Sequence, residues 1–176
     1  MILIISYERE VPQFETGMKI THFLYNAFLI ESGDKKIAID PGGLIIKLGP
    51  FSKTLKPGPE ERIGWGAIGF RILLDGKIIV NLGDTLLHNR EWKSINNCDI
   101  LMIPIGGRAV HNTMDVPEAL QALQIMKPKL VIPCHYNCPA FFSETFNPAD
   151  EDEFRKGVEE LGMQCSILHK GESISV

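Results

Sequence analysis

Apolar positions in the first half of the chain come as short runs cut by turn residues. Residues 18–23, 27–32 and 35–40 each hold a strand-length cluster, and Ser32-Gly33-Asp34 divides the second from the third. Gly33-Asp34 suits a tight hairpin, because such turns need backbone in the left-handed region. Asp40-Pro41-Gly42-Gly43 should end the third strand, since proline cannot donate to a ladder and two glycines free the backbone. Residues 2–5 read as a buried strand. Residues 66–74 and 77–82 form a further pair joined by Asp75-Gly76, the strongest hairpin signal in the chain. The interval 44–66 is less regular, and residues 56–61 are loop by composition.

Beyond Asp84 the period lengthens. Residues 89–95 predict a short helix ended by Asn96-Asn97. Residues 99–104 form a continuous apolar run, as expected of a strand buried on both faces. Asp115 with Glu118 three positions on is a capping box for a helix. The apolar face of that helix holds Val116, Ala119, Leu120, Leu123 and Met126. Another buried strand follows at 129–133. Asn147-Pro148 is read as the start of a helix with proline in its first turn, striped by Phe154, Val158 and Leu161 and stopped by Gly162. Strands at 164–168 and 173–176, turned by Lys170-Gly171, close the chain. The class is α/β. Residues 18–84 are expected to form mostly one sheet, and 99–176 a second sheet with its helices outside. No repeat or linker divides residues 1–176, which read as a single domain.

Composition narrows the function classes. The chain has 176 residues, 44% hydrophobic and 23% charged, which suits a packed core and argues against wholesale disorder. The net charge of −4 and the lack of a basic stripe argue against a nucleic-acid partner. No apolar run approaches the roughly 20 residues of a membrane helix, and no basic, then apolar, leader opens the chain. The expectation is a cytoplasmic protein with Cys98, Cys134, Cys138 and Cys165 reduced. Its partner would be a small molecule, and a homodimer is one form it could take.

Candidate chemistry gathers where strands end, as it does in open α/β sheets. Asp84 follows one strand. Gly106 and Gly107 follow another and lead into a loop with His111 and Thr113. His135 and Tyr136 follow a third, and Asp40 ends a fourth. Taken singly, Asp84 could cap a segment, His135 could be a hydrogen-bonded structural residue, and Asp40 could make a turn. Together a carboxylate and an imidazole could share a metal ion. His88 and His111 read first as solvated loop residues, Cys134 and Cys138 as small buried apolar ones. No Gly-x-Ser-x-Gly elbow is present. The glycines at 64, 66 and 69 precede a strand and not a helix, so they lack a phosphate-binding context.

The order of these pieces resembles the metallo-β-lactamase superfamily, especially its small metal-dependent hydrolases related to ascorbate-lactone lactonases. The resemblance is carried by Asn26-Ala27-Phe28-Leu29-Ile30-Glu31, by Lys36-Ile37-Ala38-Ile39-Asp40-Pro41-Gly42, and by the run from Lys77 to Asn81-Leu82-Gly83-Asp84-Thr85. It continues through Ile103-Pro104-Ile105-Gly106-Gly107, Thr113-Met114-Asp115 and Lys127-Pro128 to Val131-Ile132-Pro133-Cys134-His135-Tyr136. It implies an αββα sandwich of two sheets with outer helices, shortened in the first half, and an active site at one edge. It also implies Asp84 at the position of a metal-bridging carboxylate, His135 at that of the last histidine ligand, and Asp40 beside the metals. The superfamily's His-x-His-x-Asp-His motif is missing, because no histidine lies between Asp40 and Asp84.

The expectation is therefore a metal-dependent hydrolase with a reduced or rebuilt site, acting on an ester, lactone or phosphodiester. The ion would be zinc or another divalent metal, one ion or none. Asp84 and His135 would be catalytic and metal-binding, with His111 as the first candidate for a third ligand. Asp40, Gly106, Gly107, Thr113 and Tyr136 would surround them. The alternative is a descendant of the fold that has lost its metals and acts as a binding or interaction module.

Overall fold

The computed structural model describes residues 2–6, 17–40, 69–90, 92–110, 113–139, 145 and 147–176, with main chain alone for 2–6, 109 and 110. The strands are β1 (Ile2–Ser6), β2 (Lys19–Leu24), β3 (Ala27–Ser32), β4 (Lys35–Ile39), β5 (Gly69–Leu74), β6 (Lys77–Asn81) and β7 (Ile100–Pro104). β8 (Leu130–Cys134), β9 (Gln164–Cys165) and β10 (Ser173–Ser175) complete them. The α-helices are α1 (Gly107–Val110), α2 (Val116–Met126) and α3 (Glu151–Glu160), with a 3₁₀ turn at Trp92–Ile95. None of the described helices is long and apolar enough to cross a membrane.

Two sheets face each other. One is antiparallel, in the order β10-β2-β3-β4. The other runs β1-β5-β6-β7-β8-β9, with β6, β7, β8 and β9 parallel to one another. The hairpins form where the sequence placed them. Asp75 and Gly76 both take positive φ, 49° and 77°, which matches the twist of the strands they join.

The division between sheets differs from the expectation. The 69–81 hairpin does not join β2, β3 and β4. It lies between β1 and β7 in the six-stranded sheet, while β10 returns from the far end of the chain to pair with β2. A hairpin signal is local and fixes which strands are neighbours, not which sheet receives them. In this case Ile72, Leu74 and Ile79 turn inward against Ile20, Phe28, Ile30 and Ile39 of the other sheet.

A second core lies on the opposite face of the six-stranded sheet. Val80, Leu101, Ile103 and Val131 pack there against Val116, Ala119, Leu123 and Met126 of α2 and Phe154 and Val158 of α3. β7 and β8 are buried at every position because they sit between these two cores. Fully burying one such aliphatic side chain is worth about 1.5–3 kcal/mol. The capping box of α2 is present: Glu118 N donates to Asp115 Oδ1 at 3.0 Å, and Asp115 N donates to Glu118 Oε2 at 3.2 Å.

Three boundaries move. Asn147 does not open α3; Asp150 does, accepting from Asp152 N and Glu153 N at 3.0 and 2.9 Å. Asn147 is fully buried with its amide engaged elsewhere, so it is not free to cap. Among the described residues of 89–95, the helical ones are the last four, in a 3₁₀ turn. Of residues 164–168, only Gln164 and Cys165 pair as a strand.

Candidate metal and active site

Because β6, β7 and β8 are parallel, their carboxyl ends open on the same edge. The three ends deliver Asp84, the Gly106-Gly107 turn and His135. Asp84 and His135 thus stand on either side of β7, and their side chains meet: His135 Nδ1 lies 3.2 Å from Asp84 Oδ1.

Local structure aims both residues. Gly83, at φ 64°, turns the chain out of β6, and its N–H donates to Asn81 Oδ1 at 2.8 Å. His135 itself takes φ 53°, an uncommon value for a non-glycine residue. Its main chain is held on both sides. His135 N donates to the Tyr25 carbonyl at 3.0 Å, and His135 O accepts from Asn147 Nδ2 at 2.6 Å. From the four-stranded sheet, Asn26 Nδ2 donates to Asp84 Oδ1.

The electrostatics fit a cation. His135 Nδ1 is buried and makes no hydrogen bond, although a carboxylate oxygen lies beside it. Burial lowers the proton affinity of this imidazole, against the opposing pull of Asp84 and Asp40. The Asp40 carboxyl is pushed upward by partial burial and by the neighbouring charge of Asp84, with His135 acting the other way. Two carboxylates therefore share one field with a ring whose neutral form carries a free lone pair. This donor set suits one divalent ion as two of its ligands. Among the described residues no group of three or more His, Cys, Asp or Glu side chains is arranged to hold a metal.

The other candidate residues fall in different places. Gly106 and Gly107 are close-approach positions. A Cβ on Gly106 would lie 2.4 Å from the His135 carbonyl oxygen, and one on Gly107 would lie 1.9 Å from that of Thr113. Thr113 Oγ1 donates to the Thr85 carbonyl at 3.3 Å, tying its loop to the segment after Asp84. Tyr136 turns into the helix-side core, where burial and the nearby Glu151 carboxylate push its phenol up. His88 packs edge-on to Trp92, with ring centres 5.6 Å apart. His111 lies outside the described residues. Cys134 faces the inter-sheet core and Cys138 is buried; burial raises both thiols, so neither is a ready thiolate.

Sequence reasoning missed Asn26, Asn81 and Asn147. Asn26 and Asn81 read as ordinary turn and strand-end residues and Asn147 as a helix start, and a bond such as that from Asn26 to Asp84 leaves no local spacing signal.

A carboxylate and an imidazole meet at the shared edge of a two-sheet α/β sandwich. Residues 46–135, about half of the chain, match the Beta-lactamase superfamily domain. The chain belongs to the metallo-β-lactamase superfamily. A UPF0173 metal-dependent hydrolase of Carboxydothermus hydrogenoformans is 36% identical over 137 residues, spanning 76% of this chain and 57% of that protein. Another, from Pelotomaculum thermopropionicum, is 37% identical over 122 residues, spanning 68% of this chain and 50% of the relative. The chain thus spans about half the length of the curated relatives it matches.

Solved structures agree on the fold. Igni18, a metallo hydrolase from Ignicoccus hospitalis, superposes with a TM-score of 0.65 at 22% identity, covering 92% of this chain and 99% of that one. The metallo-β-lactamase fold protein YhfI from Bacillus subtilis gives 0.58 at 14% identity, covering 92% and 100%.

Proposed function

We propose that this protein is a hydrolase of the metallo-β-lactamase class with a reduced site that holds one divalent ion, zinc by preference, through Asp84 and His135. The observation that carries this reading is the buried His135 Nδ1, without a hydrogen bond and 3.2 Å from Asp84 Oδ1. A buried polar nitrogen left unpaired is unfavourable by roughly 1–3 kcal/mol, and a cation shared with the carboxylate relieves it. His111 is the first candidate for a third donor. A bound divalent ion supplies Lewis-acid polarisation and an acidified water. The chain's own part is to hold Asp84 and His135 at one sheet edge and to keep the imidazole neutral. Carbonyl or phosphoryl substrates suit such chemistry, so an ester, lactone or phosphodiester is proposed.

A non-catalytic binding module is the second reading, favoured by the absence of any histidine between Asp40 and Asp84. The deciding experiment is zinc stoichiometry after exhaustive dialysis, with hydrolysis of p-nitrophenyl acetate, a γ-lactone and bis(p-nitrophenyl) phosphate measured alongside. About one ion per chain, lost in Asp84→Ala and His135→Ala, with chelator-sensitive turnover, supports the first reading. One ion without turnover, or no retained ion, leaves the second. Two tightly retained ions refute the reduced site.

A further inference from the structure

The turn between β2 and β3 belongs to the four-stranded sheet, yet it touches both site residues of the other sheet. Asn26 is 3% exposed. Its Nδ2 donates to Asp84 Oδ1 and its Oδ1 accepts from Cys134 Sγ at 3.0 Å. The preceding residue, Tyr25, takes φ 54°, and its carbonyl accepts from His135 N at 3.0 Å and faces His22 Nε2 at 3.1 Å. One two-residue turn therefore fixes the carboxylate through a side chain and the imidazole-bearing backbone through a carbonyl.

The direction of the Asn26 amide follows from its partners. The Cys134 thiol donates to the amide oxygen of Asn26 at 3.0 Å. With Oδ1 committed to Cys134, the amide group is left to face Asp84, and a carboxylate can only accept. Left-handed backbone at a tyrosine is uncommon, so the fold must impose this turn. The two hydrogen bonds from Tyr25 and Asn26 to the site residues give the restraint.

We propose that Asn26 is a positioning residue which, backed by Cys134, orients the Asp84 carboxylate toward His135 for metal binding. The role rests on Asp84 being a ligand, as proposed above. Asn26 acts through Asp84 and touches no reacting atom. A carboxylate free to rotate would meet the ion in fewer of its conformers, so removing the amide weakens binding without removing a ligand.

The test is a double-mutant cycle on the metal-free protein together with zinc titration. Asn26→Ala should lower the melting temperature, and the shift should shrink by at least half in an Asp84→Ala background, where the acceptor is gone. Asn26→Ala should also weaken zinc binding by tenfold or more, measured by chelator competition. Equal melting shifts in the two backgrounds, or an unchanged zinc affinity, would overturn the proposal. If wild-type protein binds no zinc, the metal reading falls, while the cycle still decides whether Asn26 acts on Asp84. Should Asn26→Ala fail to fold, the Asn26 side-chain amide resonances of the unmodified protein replace the cycle. They should shift in Asp84→Ala, and unmoved resonances would refute the contact.

Discussion

Asn147 Nδ2 donates to the main-chain carbonyl of His135 at 2.6 Å while its Oδ1 accepts from Cys138 N at 2.9 Å. One fully buried amide thus closes the chain around the histidine and holds the residue in its left-handed conformation. Asn147→Ala strands a buried carbonyl and a buried N–H, each worth about 1–3 kcal/mol when unsatisfied. The expected loss is about 2–4 kcal/mol in chemical denaturation, since the two penalties overlap on one site. Asn147→Asp keeps the acceptor for Cys138 N but sets a buried carboxylate oxygen against the His135 carbonyl, so it should cost at least as much as alanine. A loss under about 0.5 kcal/mol for alanine, the range of ordinary surface substitutions, would show that water replaces the amide.

Glycine at 106 is required by space and not by φ. A Cβ there meets the His135 carbonyl oxygen at 2.4 Å and Asn147 at 2.9 Å, groups that cannot retreat without releasing the hydrogen bond between them. Gly106→Ala should cost about 1–3 kcal/mol, in the range for overpacking. Gly157→Ala is the control, because its Cβ meets only the flexible Leu120 side chain, at 2.5 Å. There the gain in helix propensity, about 1 kcal/mol, offsets the repacking. Equal melting temperatures for the two variants would contradict this.

Asp99 pins the entry to three strands. Its carboxylate accepts from Lys129 Nζ at 2.7 Å and from Ile78 N at 2.7 Å. The lysine bond first, and the Ile78 amide second, hold its carboxyl below the usual range. The folded state therefore binds this proton less tightly than the unfolded chain. The resulting stability is present above the unfolded pKa of about 3.9 and is lost as pH falls through the lower folded value. Asp99→Asn keeps an oxygen that can accept from Ile78 N and loses only the charge, so it should destabilise by about 0.5–1.5 kcal/mol at pH 7, with Lys129 contributing little because it is exposed. The gap to wild type should narrow below about pH 4. A gap constant from pH 7 to pH 3, read by urea melts, would show that the charge plays no part.

All four thiols resist ionisation. Burial pushes Cys98 and Cys165 up to about 11 and raises Cys134 and Cys138 as well. At pH 8 the native protein should react with Ellman's reagent at least tenfold more slowly than the same protein in guanidinium, where four thiols should titrate. One thiol reacting at the unfolded rate would reveal local opening at that cysteine.

The chain by itself determined most of its elements and made Asp84 and His135 its first site candidates. Asp75-Gly76 needs only its own backbone to make a hairpin, and Asp115 with Glu118 needs only one helical turn to make a cap. The apolar runs of β7 and β8 already stated that both faces are buried, and the parallel order of β6, β7 and β8 brings Asp84 and His135 to a common edge. Assignment of the 69–81 hairpin to the second sheet was decided by packing, because Ile72 and Ile79 find Ile20 and Phe28 only once two sheets stack. Asn147, read locally as a helix start, is taken over by His135, and the cap passes to Asp150. The pairing of Asn26 with Asp84 crosses 58 positions of sequence. A hydrogen bond at that separation has no periodicity, so only the meeting of the two sheets creates it.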